Sequence, residues 1–219
     1  MLASQLINTH YPAISLFDKV SFALQLMEDY DVQHLPVVSE EKFVGLVAKD
    51  DLLDTDENGL IATIEDQFIK TAIKSEEYFL AAVKLISESQ LSLIPVINEQ
   101  QELAGVITLP DLMRNVSRFL GNEEPGGLIV LEVEKRNFSF GEISRLVETN
   151  DAYITQLNTY PDGETGMVAV SVKINKQEIS DIVATFQRYD YQVKYYFGDE
   201  QYANELKENY SHLISYLNM

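Results

Sequence analysis

Cysteine is absent from the 219 residues, so the chain has no disulfide framework and no thiol chemistry. No apolar run approaches the roughly 20 residues that span a bilayer. The first ten residues lack the basic start and apolar stretch of a signal peptide. Basic residues are scarce, 16 against 35 acidic ones, for a formal net charge of −19. A field of that sign repels phosphate backbones, which argues against a nucleic-acid partner. The three histidines, His10, His34 and His212, show no metal-ligand spacing. There is no Gly-x-Ser-x-Gly, no phosphate-cradling Gly-rich loop and no His-Glu-x-x-His. Carboxylate pairs abound, but 35 acids produce them by chance. These absences lead us to expect a soluble, cytoplasmic, non-catalytic protein that needs no cofactor.

What is present is a core-forming composition, 46% hydrophobic, and a repeat. Residues 20–52 recur as 79–112 with one residue more. Val20, Ala23, Leu24 and Met27 are answered at helical spacing by Phe79, Ala82, Val83 and Ile86. Leu35-Pro36-Val37-Val38 is answered by Ile94-Pro95-Val96-Ile97. Gly45-Leu46-Val47 running to Asp51 is answered by Gly105-Val106-Ile107 running to Asp111. A unit this short cannot bury its apolar face alone, so the two copies should pack on each other.

Each copy reads helix, strand, strand, helix. Helices are expected at 18–30, 50–53, 76–89 and 109–120, with strands at 35–38, 43–48, 94–97 and 103–108. The repeats occupy about 1–60 and 61–121. The Gly/Pro-rich segment 121–127 is the clearest boundary. After it, the expected order is strand 128–134, helix 139–149, strands 153–160 and 167–174, helix 176–189 and strand 191–197. That β-α-β-β-α-β order is the split βαβ, ferredoxin-like arrangement, over about 127–198. A C-terminal helix is expected over 199–219, with Tyr202, Leu206, Tyr210, Leu213, Ile214 and Leu217 along one stripe. The fold class is α/β (α+β).

The two hydrophobic-Pro-Val segments and the two glycine segments ending in Asp51 and Asp111 resemble a pair of cystathionine-β-synthase (CBS) domains over residues 1–121. The second half resembles an ACT domain in its element order. Together they are similar to the acetoin-utilisation B-type CBS–ACT proteins. The resemblance implies a regulatory, ligand-sensing homodimer acting on a protein partner that the sequence does not name. It implies an adenosine compound, such as AMP, ATP or S-adenosylmethionine, held by a Gly-x-x-Thr/Ser-x-x-Asp segment.

The second copy has that segment whole, Gly105-Val106-Ile107-Thr108-Leu109-Pro110-Asp111. In the resemblance the Asp111 carboxylate accepts the ribose hydroxyls and the helix N-terminus faces phosphate. The other wall is expected from the first copy, near Pro12 and at Gln33-His34. Lys49 and Arg114 are the nearby basic residues. Thr108 and Asp111 are also spaced as an N-cap and its partner, which needs no ligand. The first copy has Ala48 in place of the hydroxyl, so one working site per chain is expected. A module that only dimerises or binds a protein is the alternative.

Two further motifs enter as expectations. Asp54, Asp56, Asn58 and Glu65, with Gly59 and Ile61, fit an EF-hand calcium loop by position. Its flanks do not, because 44–48 reads as a strand. In the ACT-like half, amino-acid sensing would use the first strand-to-helix loop, 134–141. That loop lacks the Pro-Gly or Asp-x-x-Gly character usual there. The Tyr-rich strand 191–197 needs a cover or a partner.

Overall fold

A computed structural model describes residues 1–163 and 166–199 of the chain. The expected C-terminal helix and His212 lie outside the described residues. The chain divides into two compact units between Val116 and Ser117.

The first unit repeats one supersecondary structure. Its first copy is β1 (Ile14–Ser15), α1 (Val20–Asp29), β2 (His34–Ser39), β3 (Lys42–Ala48) and α2 (Lys49–Leu53). Its second is β4 (Ile73–Lys74), α3 (Leu80–Ser89), β5 (Leu93–Ile97), β6 (Leu103–Thr108) and α4 (Leu109–Phe119). Each copy forms a three-stranded sheet, β1-β2-β3 and β4-β5-β6. The first pair of strands in each is parallel and the second antiparallel. Even the irregularities match, at Val37/Val38 and at Val96/Ile97.

The copies interlock through their leading segments. Asn8, ahead of the first copy, pairs with Val106 on β6 of the second. Ile69, ahead of the second copy, pairs with Leu46 on β3 of the first. This exchange explains two prolines in central strands, where a missing N–H normally breaks a ladder. Pro36 faces Leu46 and Pro95 faces Val106. The N–H and C=O of Leu46 are both spent on Ile69, and those of Val106 on Asn8. Neither proline is asked by β3 or β6 for the N–H it lacks.

One apolar core runs through both copies, from Val20, Ala23 and Met27 on α1 to Phe79, Ala82 and Ile86 around α3. The strands between, including Leu35, Val37, Ile94 and Val96, are buried on both faces. Helices α1 and α3 begin later than periodicity suggested, at Val20 and Leu80 rather than at 18 and 76. The N–H groups of Val20 and Ser21 are satisfied by the carbonyls of Gly59 and Glu57, which fixes the start of α1.

The second unit contains β7 (Gly127–Val133), α5 (Phe140–Glu148), β8 (Ile154–Pro161), β9 (Val168–Ile174), α6 (Ser180–Arg188) and β10 (Gln192–Phe197). Its antiparallel sheet has the order β10-β7-β9-β8. Ile129, Leu131 and Val133 alternate inward on β7, and Val170, Val172 and Ile174 on β9. They meet Ile143, Leu146 and Val147 of α5 and Ile182, Val183 and Phe186 of α6. Ser139 caps α5 by accepting the N–H of Glu142.

Phe79 is fully buried in the first core. Phe79→Ala should cost about 3–5 kcal/mol, read as a lowered denaturant midpoint. A change below about 1 kcal/mol would contradict the packing described.

Candidate functional site

The helix α4 starts directly where β6 ends, so the last strand residue becomes the helix cap. That residue is Thr108, which is 2% exposed. Its hydroxyl accepts the N–H of Asp111 at 3.2 Å and donates to Asp111 Oδ2 at 2.8 Å. Asp111 receives two more donors. Asn8 Nδ2 reaches Oδ2 at 3.3 Å, and Arg114 Nη1 reaches Oδ1 at 3.0 Å. Asn115 Nδ2 donates to the Asp111 carbonyl. Partial burial pushes the Asp111 carboxyl up, but the Thr108 and Asn8 hydrogen bonds and the Arg114 charge outweigh it and hold it below the usual range.

This carboxylate is not sealed. Its side chain is 23% exposed. It lines a hollow of about 330 Å³ with Gln5, Leu6, Ile7, Asn8, Thr9, His10 and Asn115. The wall opposite α4 is therefore the leading segment of the first copy. Gly105 makes the approach possible. A Cβ there would lie 2.5 Å from Ile7 Cγ2 and 3.0 Å from the Asn8 carbonyl, and its φ of +146° suits only glycine.

The expected site residues divide between two places. Thr108, Asp111 and Val106 come together, with Val106 holding Asn8 through the backbone. Pro12 lies on the same leading segment, four residues beyond Asn8. Gln33 and His34 are not on this hollow. They line another, of about 320 Å³, with Ala48, Lys49, Asp50, Ser89 and Gln90. The reason is register: His34 opens β2 opposite Ala48, whereas Thr108 is opposite Leu93. Asn8 and Asn115 were not singled out from the sequence. No periodicity marks the 5–10 segment, and only the pairing with β6 reveals it.

His34 instead ties the two copies together. It is 8% exposed, and its Nδ1 accepts the Ser92 N–H at 3.2 Å. The Ser92 hydroxyl sits 3.1 Å from the same nitrogen and accepts the Gln33 N–H. Nδ1 must therefore be unprotonated, leaving the proton on Nε2. Burial pushes the imidazole below its ordinary value, more strongly than Asp51 and Asp50 raise it.

In the first copy Ala48 offers α2 no side-chain cap, and α2 has five residues. The EF-hand-like stretch is a different structure. Thr55 donates to the Asp51 carbonyl, and the N–H groups of Asn58 and Gly59 turn back on Asp56. The exit is a 3-10 helix, Ile61–Gln67, rather than an α-helix. Among the described residues no group of three or more His, Asp or Glu is gathered as a metal would need.

In the second unit, 134–141 contains a 3-10 turn, Lys135–Asn137, with Arg136 paired to Glu134 at 2.7 Å. The adjoining hollow is lined by Glu132, Glu134, Glu142 and Asp190. Arg136 neutralises Glu134, and Lys194 lies 3.6 Å from Glu132.

Comparisons with known proteins agree with the repeat. The family model for the CBS domain matches residues 3–58 and 71–118. The first unit is a tandem pair of CBS domains. The fold of this CBS pair is similar to that of a CBS domain pair/ACT domain protein from Thermotoga maritima, at 23% identity and a TM-score of 0.50. That likeness covers 55% of this chain and 99% of the other. In sequence the chain is similar to inosine-5'-monophosphate dehydrogenases. The protein from Methanocaldococcus jannaschii is 27% identical over 104 residues, 46% of this chain and 21% of the relative. The protein from Thermoplasma acidophilum is 23% identical over 168 residues, 75% of this chain and 34% of the relative. The chain thus spans a fifth to a third of these curated relatives. Among the described residues no helix is long and apolar enough to cross a membrane.

Two outcomes follow from this geometry. Gly105→Ala should cost at least about 1–3 kcal/mol, read by chemical denaturation, and should speed proteolysis of the 1–12 segment; unchanged protection would refute the close approach. For His34 the folded state favours the neutral ring, so stability is lost as pH falls from about 6.5 through the lowered folded value. His34→Leu, the residue that copy two has at Leu93, should flatten the melting temperature in that window, and an unaltered pH profile would count against the Ser92 tie.

Proposed function

We propose that the CBS pair is a regulatory, non-catalytic sensor that binds an adenosine compound in the Thr108/Asp111 hollow. The observation that carries this is a partly open carboxylate, fixed by a buried hydroxyl at the start of α4 and faced by a segment of the other copy. A ribose offers two adjacent hydroxyls, and a carboxylate with two oxygens matches them. The positive end of the α4 dipole would favour a phosphate, although the Leu109 and Asp111 N–H groups are already held by Ser92 and Thr108 and Pro110 has none. Arg114 supplies the adjacent positive charge. AMP, ATP and S-adenosylmethionine are the candidates, and the net charge of −19 favours those with least negative charge. One site per chain is proposed, because Ala48 lacks the hydroxyl. Pro12, on the same leading segment, would border the base, and Gln33 and His34 would act from the other hollow.

The β-α-β-β-α-β unit supports an ACT reading of the acetoin-utilisation B type. In that reading it makes a cytoplasmic homodimer and relays the state of the CBS pair to a protein partner. A second reading has its own observation: the Thr108–Asp111 contacts already satisfy a helix start. In it the pair is a structural interaction module without a small ligand.

Calorimetric titration separates the two. AMP, ATP or S-adenosylmethionine should bind once per chain, and Asp111→Ala should weaken binding about tenfold or more through loss of hydrogen bonds to a charged group. Equal binding by both proteins removes Asp111 from the site. Binding of none of the three supports the structural module.

A further inference from the structure

We propose that Asn8 is the specificity-determining residue of this site: it occupies a position on Asp111 that a ribose diol must take, and so sets how well the site tells ribose from deoxyribose. This rests on the adenosine reading above. A carboxylate has about four lone-pair positions, two on each oxygen. On Oδ2 both are filled, by the Thr108 hydroxyl at 2.8 Å and by Asn8 Nδ2 at 3.3 Å. Among the described residues, Oδ1 is bound by Arg114 Nη1 alone. A diol that bridges the carboxylate needs one position on each oxygen. Oδ1 has one open, and Oδ2 has none.

One resident donor on Oδ2 must therefore leave. Thr108 cannot, because it is 2% exposed and its oxygen also holds the Asp111 N–H. Asn8 can. Its bond is the longer, its amide is neutral, and its side chain is half-buried at the edge of the hollow.

The orientation of Asn8 is set by its own segment. Its Oδ1 accepts the His10 N–H at 3.0 Å, so the face turned to Asp111 is the amide NH₂. The backbone on both sides of Val106 holds the segment in place without the side chain. Truncating Asn8 therefore frees Oδ2 and leaves the wall standing. A ligand with a single ring hydroxyl can use the open position on Oδ1 and displaces nothing.

The test is calorimetric titration of AMP and 2'-deoxy-AMP into wild type, Asn8→Ala and Asn8→Ser, with folding checked by circular dichroism. Serine is too short to reach Asp111 and keeps an acceptor for the His10 N–H. Both variants should bind AMP about 3- to 10-fold more tightly, the net value of one typical intramolecular hydrogen bond. Binding of 2'-deoxy-AMP should not change. Equal or weaker AMP binding by the variants overturns the role of Asn8 and leaves the adenosine site intact. The same gain for both ligands also overturns it, since the gain would then owe nothing to the diol. Binding of AMP to none of the proteins overturns the Asn8 role together with AMP as ligand.

Discussion

The first unit depends on one exchange: each CBS copy completes the sheet of the other with its leading segment. Asn8 pairs with Val106, and Ile69 with Leu46. That exchange satisfies backbone groups that Pro36 and Pro95 cannot serve. It also requires a glycine at Gly105, because the incoming chain lies against that position. The hydrophobic-Pro-Val pattern and the glycine pattern are thus two sides of one contact. Buried backbone groups must be paired, and here the second copy is what pairs them.

The same exchange builds the site. Asp111 stands at the start of α4, but the wall it faces is the chain that crosses from the first copy. The acid, the hydroxyl and Asn8 converge because β6 carries the crossing segment on its edge and ends in the helix cap. A single feature therefore supplies both stability and geometry. The copies have diverged on top of it. One kept the threonine that caps an eleven-residue helix, and the other has Ala48 before a short one. The imidazole of His34 has no equivalent at Leu93, so the tie through Ser92 runs from one copy only.

Much of this was legible in the residues. Period-3.6 patterns located α1, α3 and α4, and the β-rich runs located β2, β3, β5 and β6 within a residue or so. Thr108 and Asp111 stood out because a hydroxyl and an acid three residues apart have few uses at a strand end. What could not be read were the short strands β1 and β4, since two residues carry no period. That Gln33 and His34 line a hollow apart from Asp111 could not be read either. The resemblance implied that a wall comes from the other copy, near Pro12 on the leading segment and at the corner before β2, but not that only the leading segment faces Asp111. Asn8 was hidden for the same reason, as its importance lies wholly in its partner on β6. The EF-hand-like spacing says nothing about flanking helices, and the flanks here are the five-residue α2 and the 3-10 helix Ile61–Gln67.

The interlocking of the copies bears on how such a molecule could arise. A solitary copy would hold out a strand with no sheet to join and a proline facing an unanswered neighbour. The smallest object able to satisfy its own backbone is two copies, whether joined by a linker or meeting as separate chains. Fusion of a self-associating ancestor would then cost nothing in geometry. It would also free each half to drift, which is how one lineage of the duplication could keep its hydroxyl while the other let it go.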